Sequence, residues 1–452
     1  MNKLFKLLYK NTPASMQNLF ISIYGYKLLM QRYGKHYNVT YKKLLKKDYS
    51  SFASLQEEQN KKLREFLSFA INNSIYFEEK FAAIDISKVK TVSDLHLLPV
   101  LTKEELRTNV QRIMTIKKED GIVAFTGGTT GKSLEVVFTK EDMQFRMAFL
   151  DAFKQRLGID VASCKKATFS GREVVASKAE HKNVFWRHNA AYKQRLYSTF
   201  HLRKETMNYY IGDLMKYKPE VINGFVSAIY EIAEYIERND IKLNFVVKGV
   251  FTTSETLLEH HRTIIEKAFN TKVYNQYASA EGAPFITECK EGELHYCIDT
   301  GVIEVHEVTG EILVTSFFTH GTPLIRYAIG DKVEFKSGVC KCGSAWPLVK
   351  KIEGRQVDYL NAKDGTKVSL SHLSDVIKGL PNCVEKIQFI QDELLNLEIK
   401  IIADKGIFNS QHANIISDAA KIRFGDDIIV AINLVEDIPR EKSGKYSIIK
   451  RI

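Results

Sequence analysis

Strands and helices alternate along residues 209–277, and that alternation narrows the architectures open to the chain more than any other feature. A helix ending near Tyr217 before Pro219 leads into a strand at Val221–Asn223. A helix at Ala228–Arg238, a strand at Phe245–Thr252, a helix at Leu257–Phe269 and a strand at Val273–Tyr277 follow. Repeated strand–helix units of this length imply a parallel sheet with helices on its faces, where ligands bind beyond the carboxyl ends of the strands. Two loops fall at such ends: Thr253-Ser254-Glu255 and Tyr277-Ala278-Ser279-Ala280-Glu281-Gly282. Residues 165–204 have no clean period. Their mixture of aromatic and polar side chains fits a pocket lining, with Arg172, His201, Asn223 and Phe225 as candidate substrate contacts, and fits irregular core-covering loops equally.

Ahead of this region lies Phe125-Thr126-Gly127-Gly128-Thr129-Thr130-Gly131-Lys132-Ser133, flanked by two short apolar runs. Glycines let successive N–H groups turn into one concavity, threonines add donors, and Lys132 adds positive charge, a composition suited to phosphate. The P-loop of NTPases requires a glycine where Thr126 stands and a helix where Leu134–Phe138 reads as a strand, so that motif is not matched. Gly/Thr-rich hairpin turns of no chemical role share this look. On either side, Thr102 with Glu105 and Thr139 with Asp142 are capping boxes that open helices.

The C-terminal part changes character. A hairpin at Val302–Val308 and Ile312–Ser316 turns at Thr309-Gly310. Residues 365–452 then form a β/α tail, with helices near Leu370–Lys378 and Ser410–Phe424 and strands near Val384–Ile390, Leu395–Ile402 and Ile428–Leu434. A boundary falls close to Gly354–Asp358. Cys340-Lys341-Cys342 ahead of a glycine can present two thiolates to one ion. Cys289 and His295, with Cys297 as a spare, complete a Cys₃His set suited to structural zinc; the alternative is buried free cysteines and a surface histidine.

At 452 residues, 44% hydrophobic and 26% charged, the chain is large enough for more than one core, and six scattered cysteines do not make a disulfide framework. With no apolar run near ~20 residues and a lysine-interrupted start, a cytoplasmic protein is expected. The net charge of +11 is concentrated: residues 1–50 hold ten Lys/Arg against Asp48 alone, which leaves +2 for the rest. Aromatic and aliphatic residues are interleaved with those cations. The segment therefore suits either peripheral contact with an anionic membrane surface or a solvated basic face, and no nucleic-acid-binding motif accompanies it.

Taken in order, these motifs resemble the adenylate-forming superfamily, most closely the phenylacetate–CoA ligase branch and its CapK-like relatives from capsular polysaccharide clusters. Leu98–Leu106, Thr126–Lys132 and Tyr277–Gly282 are similar to three of that branch's motifs, in that order. Arg326–Asp331 is similar to its Arg-Tyr-x-x-Gly-Asp, Gly354–Asp358 to its hinge, and Pro439–Lys445 to its Pro-Arg-x-x-Ser-Gly-Lys.

The resemblance implies an α/β fold. A large N-terminal adenylation domain has mixed and parallel sheets flanked by helices, residues 1–95 as its basic helical segment and 96–354 as its core. A small mobile C-terminal α+β domain, 355–452, swings about Asp358. It also implies use of ATP and Mg²⁺ to form an acyl-adenylate from a carboxylic acid, with the acyl group passed to CoA or another acceptor, in cell-surface polysaccharide synthesis. Lys445 would bridge carboxylate and α-phosphate, and Glu281 would hold Mg²⁺. Asp331 would bind the ribose hydroxyls, Arg355 ribose or phosphate, and Tyr277 would lie on adenine. Thr126, Gly127, Gly128, Thr129, Thr130, Gly131 and Lys132, with Ser254, Glu255, Ala278 and Ser279, would complete the nucleotide site. One departure stands out: the family threonine that donates to the α-phosphate is Ala280 here. A catalytically weak nucleotide-binding partner of polysaccharide assembly and an adenylyltransferase remain as alternatives.

Overall fold

The predicted alternation builds a six-stranded sheet. The computed structural model describes residues 9, 12–125, 134–172, 174–175, 183–202, 204–353, 359–363, 367–369, 373, 380, 383–441 and 446–452. They divide into two units, Met1–Ile352 and Glu353–Ile452.

Helices open the first unit: α1 (Ala14–Arg32), α2 (Lys35–Lys46), α3 (Phe52–Asn73), α4 (Ile75–Lys80) and α5 (Lys103–Ile113). Thr102 caps α5 as expected, its hydroxyl accepting from the Glu105 N–H at 3.2 Å while the Glu105 carboxylate accepts from the Thr102 N–H at 2.9 Å. The short strands β1 (Ile122–Phe125) and β2 (Glu135–Phe138) pair antiparallel, Phe125 opposite Glu135. A strand on both sides of the glycine-rich run excludes the strand–loop–helix context of a P-loop. Thr139 and Asp142 then open α6 (Lys140–Arg156).

Next come β3 (Lys166–Ser170), β4 (Trp186–Asn189), β5 (Gln194–Ser198), α7 (Met207–Tyr217), β6 (Val221–Phe225), α8 (Val226–Arg238), β7 (Gly249–Thr253), α9 (Glu259–Phe269) and β8 (Val273–Tyr274). The sheet order is β4-β5-β3-β6-β7-β8. All neighbours are parallel except β4, which runs antiparallel to β5 at one edge. Three of these strands lie in the stretch without a clean period. Buried Arg187, Asn189, Ser198 and Thr199 interrupt the apolar pattern that would have marked them. The single strand expected over Val273–Tyr277 is two, because the chain changes sheets at Asn275. Gln276–Tyr277 forms β9, whose partner is β10 (Ile286–Glu288).

An antiparallel sheet of order β15-β16-β11-β10-β9 follows, with β11 at Leu294–Tyr296, β15 at Lys332–Lys336 and β16 at Leu348–Glu353. A three-stranded sheet holds the predicted hairpin as β12 (Gly301–Val305) and β13 (Ile312–Ser316), with β14 (Leu324–Ala328) beside it. One core, including Leu63, Phe66, Phe149, Phe285 and Tyr327, lies under the helices and these two sheets; a second, including Phe169, Tyr210, Ile229 and Ile265, backs the parallel sheet.

The second unit has its own core of Phe389, Ile399, Ile401, Ile416 and Phe424. It contains the hairpin β17 (Tyr359–Asn361) and β18 (Lys367–Ser369). The sheet β21-β20-β19-β22 is formed by Val430–Leu434, Leu397–Ala403, Val384–Gln391 and Ile449–Arg451, with α10 (Ser410–Phe424). Of the helix expected near Leu370–Lys378, all but Leu373 lies outside the described residues.

Candidate functional site

Because β3, β5, β6 and β7 are parallel, their carboxyl ends share one edge of the sheet. Arg172, His201, Ser254 and Glu255 lie just beyond those ends, and Asn223 and Phe225 are the third and last residues of β6. Several have work in the fold. His201 is buried, its Nδ1 2.7 Å from Ser198 Oγ, with its ring 5.3 Å from that of Phe185. The Glu255 carboxylate accepts from the Ser227 N–H at 2.7 Å and the Ser227 hydroxyl at 3.1 Å, which caps α8. Ser254 has a left-handed backbone, φ 68°, at the sharp exit from β7. Asn223 is half-buried between Ile222 and Gly224, and Phe225 is buried where α8 begins. Arg172 is exposed.

Close approach explains one glycine here. Gly224 has φ 147°, and a Cβ on it would lie 2.0 Å from the Phe169 carbonyl oxygen of β3. Two further polar atoms were not singled out by sequence reasoning. Thr252 Oγ1 in β7 and Gln276 Oε1 in β9 are buried without hydrogen-bond partners among the described residues. Such atoms are rare in native interiors and commonly face water or a ligand.

At the adjoining motif, the Tyr277 hydroxyl donates to Asp331 Oδ2 at 2.6 Å. Two segments separated by 54 residues thus meet as one polar group. Past Tyr277 the chain makes a tight turn. Ser279 Oγ accepts from the N–H groups of Gly282 and Ala283, at 3.1 Å each, and Gly282 adopts φ 104°. Glu281 on this turn is only 1% exposed, whereas Ala278 and Ala280 point outward. The Ser279 hydroxyl proton has no acceptor among the described residues, so it is free to be donated.

Arg146 of α6 holds the turn from behind. Its Nη1 donates to the carbonyls of Gly282 at 2.9 Å and Ala283 at 3.3 Å, and its guanidinium lies 4.5 Å from the centre of the Phe285 ring and 5.7 Å from that of Phe138. Burial lowers its pKa to about 10, against the pull of Asp142 one turn earlier, so it is still a cation at neutral pH. Asp142 in turn receives His320 Nδ1 at 2.6 Å, and Thr322 accepts from the Val137 N–H of β2 at 2.9 Å. The strand leaving the glycine-rich run, the Glu281 turn and the 319–322 turn are therefore one hydrogen-bonded assembly. Sequence reasoning read Asp142 only as a helix cap and missed Arg146; their joint signal is a pair of charges on the buried face of a helix.

Arg326 also joins two recognised motifs. Its backbone carbonyl accepts from the Leu101 N–H at 3.0 Å, its side chain donates to the Leu98 carbonyl, and its Nε lies 3.1 Å from Glu304. The segment before α5 is thereby strapped along β14. Thr126–Lys132, Arg355, Asp358 and Lys445 lie outside the described residues.

A second cluster sits on the antiparallel sheet. The ligand atoms of Cys289, His295, Cys340 and Cys342 all lie within 4.8 Å of one another. Cys289 Sγ is 3.6 Å from Cys340 Sγ, and Cys342 Sγ is 3.5 Å from His295 Nε2. Four donors at 2.3 Å (S) and about 2.05 Å (N) from a tetrahedral centre would be separated by about 3.8 and 3.5 Å, so the set fits a zinc-sized ion. His295 Nδ1 lies 3.2 Å from the Trp346 carbonyl, the outer contact that orients a ligating imidazole. Gly343, φ 85°, closes the turn that brings Cys340 and Cys342 to the same side. The spare, Cys297, is fully buried against Thr287 Oγ1 at 3.5 Å and is not part of the set.

This fold is that of the adenylate-forming CoA ligases, a mixed α/β fold with a larger N-terminal and a smaller C-terminal domain. 2-Hydroxyisobutyryl-CoA ligase, solved in the postadenylation state with R3-HIB-AMP, superposes with a TM-score of 0.72 over 90% of this chain and 91% of its own, at 16% identity. The same ligase with 2-HIB-AMP and CoA gives 0.58 over 89% and 91%. Within that fold the chain belongs to the CapK family. It is 37% identical to protein CapK of Staphylococcus aureus over 97% of both chains, and the CapK C-terminal domain is recognised at residues 360–452.

Proposed function

We propose that the chain is an adenylate-forming ligase. A carboxylate oxygen attacks the α-phosphorus of ATP, the bond to pyrophosphate breaks, and the acyl-adenylate passes its acyl group to a thiol, amine or hydroxyl acceptor as AMP leaves. The observation that carries this reading is the Tyr277–Asp331 hydrogen bond at 2.6 Å beside the Glu281 turn, since it joins an aromatic platform and a ribose-sized acceptor to a buried carboxylate. Asp331 holds the ribose, Tyr277 the adenine, and the Ser279 hydroxyl donates to phosphate in place of the threonine absent at Ala280.

Glu281 would hold Mg²⁺, which neutralises charge on the phosphates when bound. By the resemblance, Thr126–Lys132, Lys445 and Arg355 would contact phosphate, and Thr252, Gln276 and Asn223 would face the substrates. CoA is one candidate acceptor. The four-ligand cluster would hold a structural Zn²⁺. The family and the charge of the N-terminal segment support a place in cell-surface polysaccharide synthesis, in the cytoplasm and in peripheral contact with the membrane.

ATP–pyrophosphate exchange over a panel of carboxylic acids tests the reading. One or more acids should support exchange that falls by about 10²-fold or more in Glu281→Gln and Lys445→Ala. Nucleotide binding with no exchange for any acid would favour a silent nucleotide-binding partner, the reading that Ala280 supports, and an AMP-bearing acceptor in the product would indicate adenylyl transfer.

A further inference from the structure

Helix α1 lies against the sheet edge with much of its apolar surface turned away from the protein. On its inner side Asn18 Oδ1 accepts from the His188 N–H at 2.9 Å and Ser22 Oγ from the Ala190 N–H at 3.0 Å, so polar side chains of α1 close the free edge of β4. Gly25 allows the approach, since a Cβ there would lie 2.3 Å from Asn189 Oδ1. Opposite, Met16, Leu19, Ile23, Tyr26 and Met30 form one stripe at spacings of three and four residues, between 45% and 72% exposed. Ile21, Leu28 and Leu29 lie on the inner side. A helix apolar on both sides is ordinarily enclosed on both sides.

Charge identifies what covers the stripe. Residues 1–47 contain no Asp or Glu. Lys27 on α1 and Lys35, Lys42, Lys43 and Lys46 on α2 are exposed, and none is in an ion pair among the described residues. Lys47, by contrast, is built into the fold through Glu58 at 2.6 Å and Asp299 at 3.0 Å. Unpaired lysines around exposed aliphatic and aromatic side chains are the composition of a helix lying in the headgroup region of an anionic bilayer.

We infer that α1 is an interfacial helix whose Met16–Met30 stripe inserts into an anionic membrane surface, with the lysines of α1 and α2 on the headgroups. This makes specific, and rests on, the peripheral membrane contact proposed above; ATP–pyrophosphate exchange without vesicles tests the enzymatic reading separately. The full chain should float with vesicles of phosphatidylcholine and phosphatidylglycerol and not with phosphatidylcholine alone. Binding should weaken as salt rises toward ~1 M. Each lysine within a Debye length contributes roughly fivefold, so Lys42→Ala with Lys43→Ala should weaken binding about 25-fold. Leu19→Glu with Ile23→Glu should weaken it at least about tenfold with unchanged Tm. The inference is overturned if the native chain does not float, if it floats equally with both vesicle types, or if Leu19→Glu with Ile23→Glu floats as well as the native chain. A stripe-dependent dimer in light scattering without flotation assigns the face to a second copy.

Discussion

Replacing Cys340 with serine would remove one of the four donors of the proposed zinc site and untie the turn before β16 from the β10–β11 hairpin. The cost follows from the chain. Cys289 and Cys340 are 51 residues apart, and cross-linking a loop of that length lowers the unfolded-state entropy by the equivalent of about 4 kcal/mol at 25 °C. The unit they stabilise runs from Met1 to Ile352. At about 2 cal/mol/K of unfolding entropy per residue, a loss of that size lowers its Tm by about 5 °C. Protein purified without added zinc should carry one zinc per chain by mass spectrometry. Cys340→Ser should lose it along with the thermal stability, and chelation of the native chain should reproduce the drop. Cys297→Ser is the control, because that buried sulfur lies outside the set; it should keep its metal. Native protein with far less than one zinc, or equal Tm losses in the two variants with no change in metal, refutes the reasoning.

Three further outcomes are expected. Ala280→Thr supplies the donor that the motif of the resembled family has at this position and should speed adenylation about ten- to a hundredfold, worth roughly 1.5–3 kcal/mol; an unchanged exchange rate places residue 280 away from the phosphate. Arg146→Met removes charged hydrogen bonds to the Gly282 and Ala283 carbonyls. It should cost about 2–4 kcal/mol in urea unfolding and raise KM for ATP, with partial rescue by Arg146→Lys; lost stability with an unchanged KM would leave Arg146 a purely structural residue. Burial works against the Glu58 carboxylate, but Lys62 and Lys47 overcome it and hold its pKa down at about 2. A depressed folded pKa means its contribution, about 1–3 kcal/mol, is complete above about pH 5 and disappears toward pH 2. Glu58→Gln should flatten stability over that window, and an unchanged acid limb would contradict the ion pairs.

What could be read from the residues was mostly local. Thr102 with Glu105 and Thr139 with Asp142 carry their own capping partners within one turn, so the starts of α5 and α6 were visible. The run Val273–Tyr277 looks like one strand because nothing in it announces that the Asn275 N–H will donate to Glu288 Oε2, 13 residues later in the sequence, at 2.7 Å. Strand β4 was hidden for a related reason: its edge is closed by Asn18 and Ser22, some 170 residues earlier. At the site, Tyr277, Glu281 and Asp331 were marked by the resemblance of their motifs to the family's and not by residue type alone. Arg146 and the capping duty of Glu255 depend on which elements pack together, and a linear reading has no access to that.

Gly224 has a practical consequence for anyone recoding substrate preference by directed evolution. Any side chain there would collide with the Phe169 carbonyl, so libraries that randomise this position would consist largely of misfolded clones. Phe225 is buried in the core behind the sheet and is little more tolerant, whereas Asn223 is half-buried and carries no such veto. Diversity is best concentrated on Asn223, with the glycine beside it kept as a fixed post.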